Sequence, residues 1–291
     1  MDFFRAYRDR PQGQVMMVSL VSAKSSGVTC SALALALASP RPTALAECDP
    51  AGGTIRTGYL QGGGPTAAVG LHRLATASRA GTIQHEFPEH WVRLDDLGHR
   101  MFLPGLTDPS QASGLAGAWG DMGRLLRVWE NPGGHDVIID AGRVQVSSKT
   151  TLDSVSYPAA LLRQSDLVLL VVRNTLPSVL SAAPVVQILR ADLTEHGTGG
   201  EALGVLMIEE GGLSSSEIGA RLGVPVLAGL PWDEDMAQNL TTGKELRRGK
   251  PARTKLMRHA RSAFGPLTEA ATRRQIQLRR PGALTGAAEV A

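Results

Sequence analysis

The chain has 291 residues, 43% of them apolar but only 4% aromatic, and a net charge of +3, so one or two domains with a sizeable core of Ala, Leu and Val are expected. Two cysteines, Cys30 and Cys48, without CxxC spacing, exclude a disulfide framework and suit a reducing, cytoplasmic compartment. No apolar run approaches the ~20 residues of a membrane span, and the opening MDFFRAYRDRPQGQ has too little apolar length for a signal peptide, so a soluble protein is expected.

In chain order, a continuously apolar strand is predicted over 14–21, followed by a small polar loop, Ala23 to Cys30, and a helix over 29–38. A second strand over 42–47 runs into Glu47-Cys48-Asp49-Pro50-Ala51-Gly52-Gly53. The span 52–134 is Gly-rich and weakly patterned, with helices, long surface loops and an edge strand near 100–105. Strands follow over 135–142, ending in Asp140-Ala141-Gly142-Arg143, and over 165–173, then a helix over 176–193 and a strand over 202–209. Ser214 and Glu217 have capping-box spacing before a helix that stops at Gly223, and a last strand spans 224–231. Runs that are apolar throughout, rather than alternating, belong to parallel strands covered on both faces. The expected fold is α/β, a doubly wound, mostly parallel sheet of about seven strands with helices on both faces, forming a single domain over 1–280.

The charge is unevenly placed. Residues 244–280 carry 12 Lys/Arg against Glu245 and Glu269, a net +10, and the rest carries 18 Lys/Arg against 25 acids, a net −7. Basic helices are expected over 251–280, the first opening at Pro251 with Arg253, Lys255, Arg258 and Arg261 outward and Leu256, Met257, Ala260 and Phe264 inward. A second would carry Arg273, Arg274, Arg279 and Arg280, with 281–291 a disordered tail. Such a surface is either a solvated face, a set of partners for the acidic body, or a site for non-specific DNA or an anionic membrane.

Ligands of open α/β sheets gather at the carboxyl ends of the strands. Three features fall there. The small residues of Lys24-Ser25-Ser26-Gly27-Val28-Thr29-Cys30 let backbone N–H groups and a helix N-terminus face an anion. Glu47 and Asp49 could hold a metal or orient water. Asp140, ending an apolar strand, can hold Mg²⁺ together with Thr29. Elsewhere, HEFPEH (85–90) lacks the His-Glu-x-x-His spacing of zinc sites, and Ser147 and Ser148 have no nearby His. Cys30 reads as a small core filler, and Trp232, after Pro231, as packing or as the wall of a base pocket.

These motifs resemble the MinD/ParA group of deviant-Walker P-loop ATPases, which is SIMIBI-like in fold, and within it an actinobacterial MinD-like branch with a degenerate Walker A loop. The family loop runs Lys-Gly-Gly-x-Gly-Lys-Thr-Thr. Lys24 matches its first lysine, Gly27 the last glycine and Thr29 the magnesium-binding threonine, while Val28 stands where the second lysine belongs. The loop is one residue short, with Ser25 and Ser26 in place of the early glycines. Glu47-Cys48-Asp49-Pro50 is similar to the family's Asp-x-Asp-Pro, and Asp140 to the Walker B aspartate. The segment 229–246 resembles the late loop near the adenine, and the family's Asn-Arg pair is replaced at Ile208-Glu209-Glu210.

The likeness spans 14–265. It implies ATP and Mg²⁺ in a site formed by Lys24, Ser25, Ser26, Gly27, Val28, Thr29 and Cys30, with Pro231 and Trp232 near the base. It implies Thr29 and Asp140 on the metal, Asp49 on the attacking water, and Lys24 reaching a dimer partner's phosphates. The implied function is spatial organisation, with ATPase activity weak or absent and a plasmid, chromosome, pilus or secretion machine as protein or nucleoprotein cargo. The alternatives are a pseudo-ATPase scaffold for a pilus or secretion ATPase, or a non-specific DNA binder. The expected location is cytoplasmic, with nucleoid or membrane association through the basic segment.

Overall fold

A computed structural model of the chain describes residues 15–62, 68–247 and 249–279. Eight strands form one sheet in the order β3-β4-β2-β5-β1-β6-β7-β8. They are β1 (Met17–Ser22), β2 (Thr43–Glu47), β3 (Val92–Arg93), β4 (Arg100–Leu103), β5 (Asp136–Arg143), β6 (Leu167–Arg173), β7 (Leu203–Glu209) and β8 (Val226–Pro231). Every pairing is parallel except β3 with β4. The expected edge strand is β4, but the two-residue antiparallel β3 lies outside it and forms the true edge. A short edge of this kind leaves few backbone groups open to another chain.

The helices are α1 (Val28–Ala38), α2 (Thr54–Thr57), α3 (Leu71–Ala80), α4 (Ile83–Glu86), α5 (Trp119–Gly133), α6 (Ala159–Gln164), α7 (Leu176–His196), α8 (Ser215–Leu222), α9 (Glu234–Thr242) and α10 (Lys255–Arg279). Strand residues alternate between two buried layers. Met17 and Val21 of β1, Ala44 and Ala46 of β2, and Val168 and Leu170 of β6 face α3, α5, α6, α7 and α8. Val18 and Leu20, Leu45, and Leu167 and Leu169 face α1, α9 and α10. Both sheet faces are therefore dry, which is why the strands read as unbroken apolar runs. The α8 capping box forms, with the Ser214 and Glu217 side chains each accepting the other's backbone N–H, and Gly223 closes the helix in the left-handed region.

The C-terminal segment differs from expectation. Pro251–Arg253 is a 3₁₀ turn, and one 25-residue helix, α10, replaces the expected pair. Gly265 and Pro266 lie inside it on the exposed face, where water can serve the carbonyl that proline leaves unbonded. The buried stripe of Ala263, Phe264, Leu267, Ala270 and Ala271 continues across them. Leu256 N–H donates to Asp233 beyond the carboxyl end of β8, and the Gln275 side chain donates to Val15 O before the amino end of β1, so α10 runs the full depth of the sheet. Arg280 and the tail 281–291 lie outside the described residues. No helix among the described residues is long and apolar enough to cross a membrane.

Candidate functional site

A cavity of about 570 Å³ opens at the carboxyl ends of β1, β2 and β5. Ser25, Ser26, Gly27, Val28, Thr29 and Cys30 form one wall, Asp49, Ala51, Thr54 and Ile55 a second, Gly142, Arg143 and Gln145 a third, and Leu240 and Thr241 of α9 the rim. Gly27 sits at φ 90° directly before α1, and its Cα faces open space, with nothing within 4 Å of where a side chain would begin. The left-handed turn there favours glycine. It also turns the chain into α1, whose first N–H groups have no acidic side chain or cap to serve them. An anion in the cavity would meet them.

Behind this wall lies an acidic cluster. Asp140 is fully buried. Burial pushes its carboxyl up to about 7, opposed by the Thr29 hydroxyl beside it and reinforced by Glu47 and Asp49. Its Oδ1 accepts the Gly142 N–H at 3.1 Å, and its Oδ2 has no hydrogen-bond partner among the described residues. Burial likewise pushes Glu47 up to about 7, against the N–H groups it accepts from Ile55 and Gly105. Glu47 thus fastens the start of α2 and the loop after β4 to the end of β2. Asp49 is raised by burial too, opposed by the Ala51 N–H, which donates to Oδ1 at 2.8 Å, and by Arg143. Its Oδ2 has no partner among the described residues.

An orphaned carboxylate oxygen beside a threonine hydroxyl is what a hard divalent cation takes, with water and phosphate oxygens completing its shell. Among the described residues no group of three or more His, Cys, Asp or Glu could hold a metal unaided. The donor set therefore fits Mg²⁺ arriving with a phosphate ligand better than a resident metal.

Besides Asp140, which lies behind the wall, three expected residues do not line the cavity. Lys24 is exposed, and its ammonium has no partner among the described residues. Pro231 is buried at the end of β8. Trp232 is half-exposed, with the Arg173 guanidinium 5.2 Å from its ring centre and Glu210 3.0 Å from that guanidinium. The segment 229–246 does reach the cavity, but through Leu240 and Thr241, one α9 length further on. Val28 is 5% exposed and packs into the α1 layer of the core. Burial pushes the Cys30 thiol up to about 11, with Asp233 adding to it, so it stays protonated. Sequence reasoning missed Ser22, Thr54, Ile55 and Gln145 as lining residues, and reached Leu240 and Thr241 only as part of the segment 229–246.

The basic face is narrower than its sequence. Arg253, Lys255, Arg258 and Arg261 are exposed and form no ion pair among the described residues. Arg273 pairs with Glu269 at 2.5 Å. Arg274 is buried and points at Glu201, 3.6 Å away, so it belongs to the fold and not to a polyanion surface. Arg279 is exposed at the far end.

No protein-family model matches the sequence, and no curated protein matches it. Solved structures do. A ParA family ATPase from Chlorobium tepidum superposes with a TM-score of 0.60 at 19% identity, over 86% of this chain and 98% of that one. The septum site-determining protein MinD from Pyrococcus horikoshii, complexed with Mg-ADP, gives 0.61 at 16% identity, over 89% and 98%. An ATP complex of a substituted McdA from Cyanothece gives 0.57 at 17%, over 87% and 97%. The chain has the fold of these P-loop ATPases.

Proposed function

We propose that this chain is a MinD/ParA-like spatial organiser that binds ATP with Mg²⁺ in a degenerate P-loop site, dimerises, and positions a cargo over a polyanionic surface. The observation that carries the reading is the cavity at the ends of β1, β2 and β5, where Gly27, Thr29 and Asp49 meet in front of the orphaned oxygen of Asp140. The backbone N–H groups from Ser26 to Cys30 would face the phosphates, and Thr29 and Asp140 would hold the metal. Bound Mg²⁺ neutralises phosphate charge. Asp49 Oδ2 is free to orient a water.

The apolar Val28 withholds one charge-assisted contact, worth about 1.5–3 kcal/mol. Hydrolysis is therefore weak or absent, and the protein works as a switch rather than as a metabolic enzyme. The same residue favours a second reading, a pseudo-ATPase scaffold for a pilus or secretion ATPase, because Val28 is packed in the core and Lys24 lies outside the cavity.

Calorimetry with ATP and Mg²⁺, followed by sizing with and without nucleotide, separates the two. Nucleotide binding with a monomer-to-dimer shift supports the organiser. No heat and no change in size overturns it and leaves the scaffold.

The surface is tested independently. Mixed-sequence DNA should bind at low salt and release steeply as salt rises. A variant with Arg253, Lys255, Arg258 and Arg261 changed to Ala should lose that binding. If the parent does not bind at low salt, or the variant binds equally well, the basic face is only a solvated helix.

A further inference from the structure

Among the described residues lining the cavity, Arg143 is the one cation. We propose that Arg143 supplies the phosphate-gripping charge that the loop lacks, so that this charge comes from the end of β5 while the N–H groups at the start of α1 still face the anion. The inference rests on the reading of this cavity as a phosphate site, and it assigns the grip to a residue that the family resemblance does not.

The placement comes from an irregularity in the sheet. Along β1 and β5 the partners run Leu20 with Asp140 and then Ser22 with Arg143, so two steps on β1 match three on β5. The extra residue is a bulge, which bends a strand and re-aims the side chains beyond it. Gly142 adopts φ 64° within it, and a side chain there would overlap the Asp49 carboxylate. Glycine is thus required twice over, for the turn and for the approach of Asp49. The bulge sets Arg143 beside Ser22, at the root of the phosphate loop, where the Val144 N–H donates to Ser22 O at 2.9 Å.

Arg143 is exposed and makes no hydrogen bond or ion pair among the described residues, not even with Asp49 on the neighbouring wall. A guanidinium kept unpaired beside an acidic cluster is available to an incoming anion, and its planar fork suits phosphate oxygens. Two described cations at neighbouring strand ends fall short. Lys24 lies outside the lining, and Arg173 is engaged by Trp232 and Glu210.

The test is calorimetry on the full chain with two probes, ATP with Mg²⁺ and inorganic pyrophosphate with Mg²⁺, on the parent, Arg143→Ala, Arg143→Lys and Arg173→Ala. Arg143→Ala should weaken both ligands about tenfold to a hundredfold. Arg143→Lys should recover part of the loss, because lysine keeps the charge without the fork. Arg173→Ala should match the parent. Since Arg143 is exposed, its variants should melt with the parent, which separates lost binding from lost folding. Equal affinity of Arg143→Ala and the parent for both probes overturns the inference and leaves the nucleotide reading standing. Pyrophosphate binding that needs Arg143, with no ATP binding, supports the inference and overturns the nucleotide reading. A parent that binds neither probe overturns both.

Discussion

The two edges of the sheet treat buried carboxylates in opposite ways. At the amino edge, Asp136 accepts the Met16 N–H at 3.1 Å and a two-pronged contact from Arg41 at 2.8 and 2.9 Å. Asp166 accepts the Met17 N–H at 2.8 Å, two bonds from Arg127 at 3.0 Å and one from Gln275. At the carboxyl edge, Glu47 and Asp140 are equally buried but have no cation against them among the described residues, and Asp49 meets Arg143 only at a distance. Acids paired with arginine in this way fix strands to their neighbours. Acids crowded together without a counter-charge weaken the free protein, and they are tolerable where a cation comes from outside.

The contrast can be broken at its strongest point first. Arg41→Ala leaves Asp136 buried without its cation and should cost about 3–5 kcal/mol in urea unfolding. Arg127→Ala should cost less, about 1–3 kcal/mol, because Asp166 keeps the Met17 N–H and Gln275. If neither variant loses more than surface substitutions do, the amino-edge pairs are not structural.

At the other edge the sign reverses. Asp140→Asn should stabilise the ligand-free protein at pH 8, by about 1 kcal/mol. Glu47 and Asp140 bind a proton more readily folded than unfolded. Their contribution to stability is therefore complete below about pH 4 and is lost as pH rises through about 7. Melting curves of parent and Asp140→Asn should diverge from pH 5 to pH 8, with the parent falling. Parallel curves would mean that Asp140 carries no such strain. The smallest effect is expected at Arg173, whose pairing with Glu210 and Trp232 is half-exposed. Arg173→Ala should change stability by less than about 1 kcal/mol.

The seven longer strands lie within three residues of their expected places, because burial on both faces makes each an unbroken apolar run. The edge strand β3 is illegible, since two residues, one half-buried and one exposed, carry no pattern. The expected break in the basic segment does not occur, because Gly265 and Pro266 point to water while the apolar stripe behind them is continuous.

At the site, the loop from Ser25 to Cys30, Asp49 and Asp140 can be read from strand ends. Leu240 and Thr241 cannot, because which turn of α9 meets the cavity depends on how the helix packs. The pairing of Arg41 with Asp136 spans 95 residues and leaves no local trace. Arg143 sits in plain view in the sequence, but a bulge is a relation between two strands and neither strand announces it alone.

The strand order has a consequence for how the chain is made. The central strand β1 lies between β5 and β6. The amides preceding and opening it find their acceptors 120 and 149 residues later, at Asp136 and Asp166. At a synthesis rate of roughly 5–20 residues per second, β1 and the loop after it wait about 6–24 seconds before either neighbour is made. During that interval an apolar strand–helix unit, β1 with α1, has neither of its sheet neighbours, so a holding chaperone should engage nascent chains that end before β5 and release them once β6 has emerged.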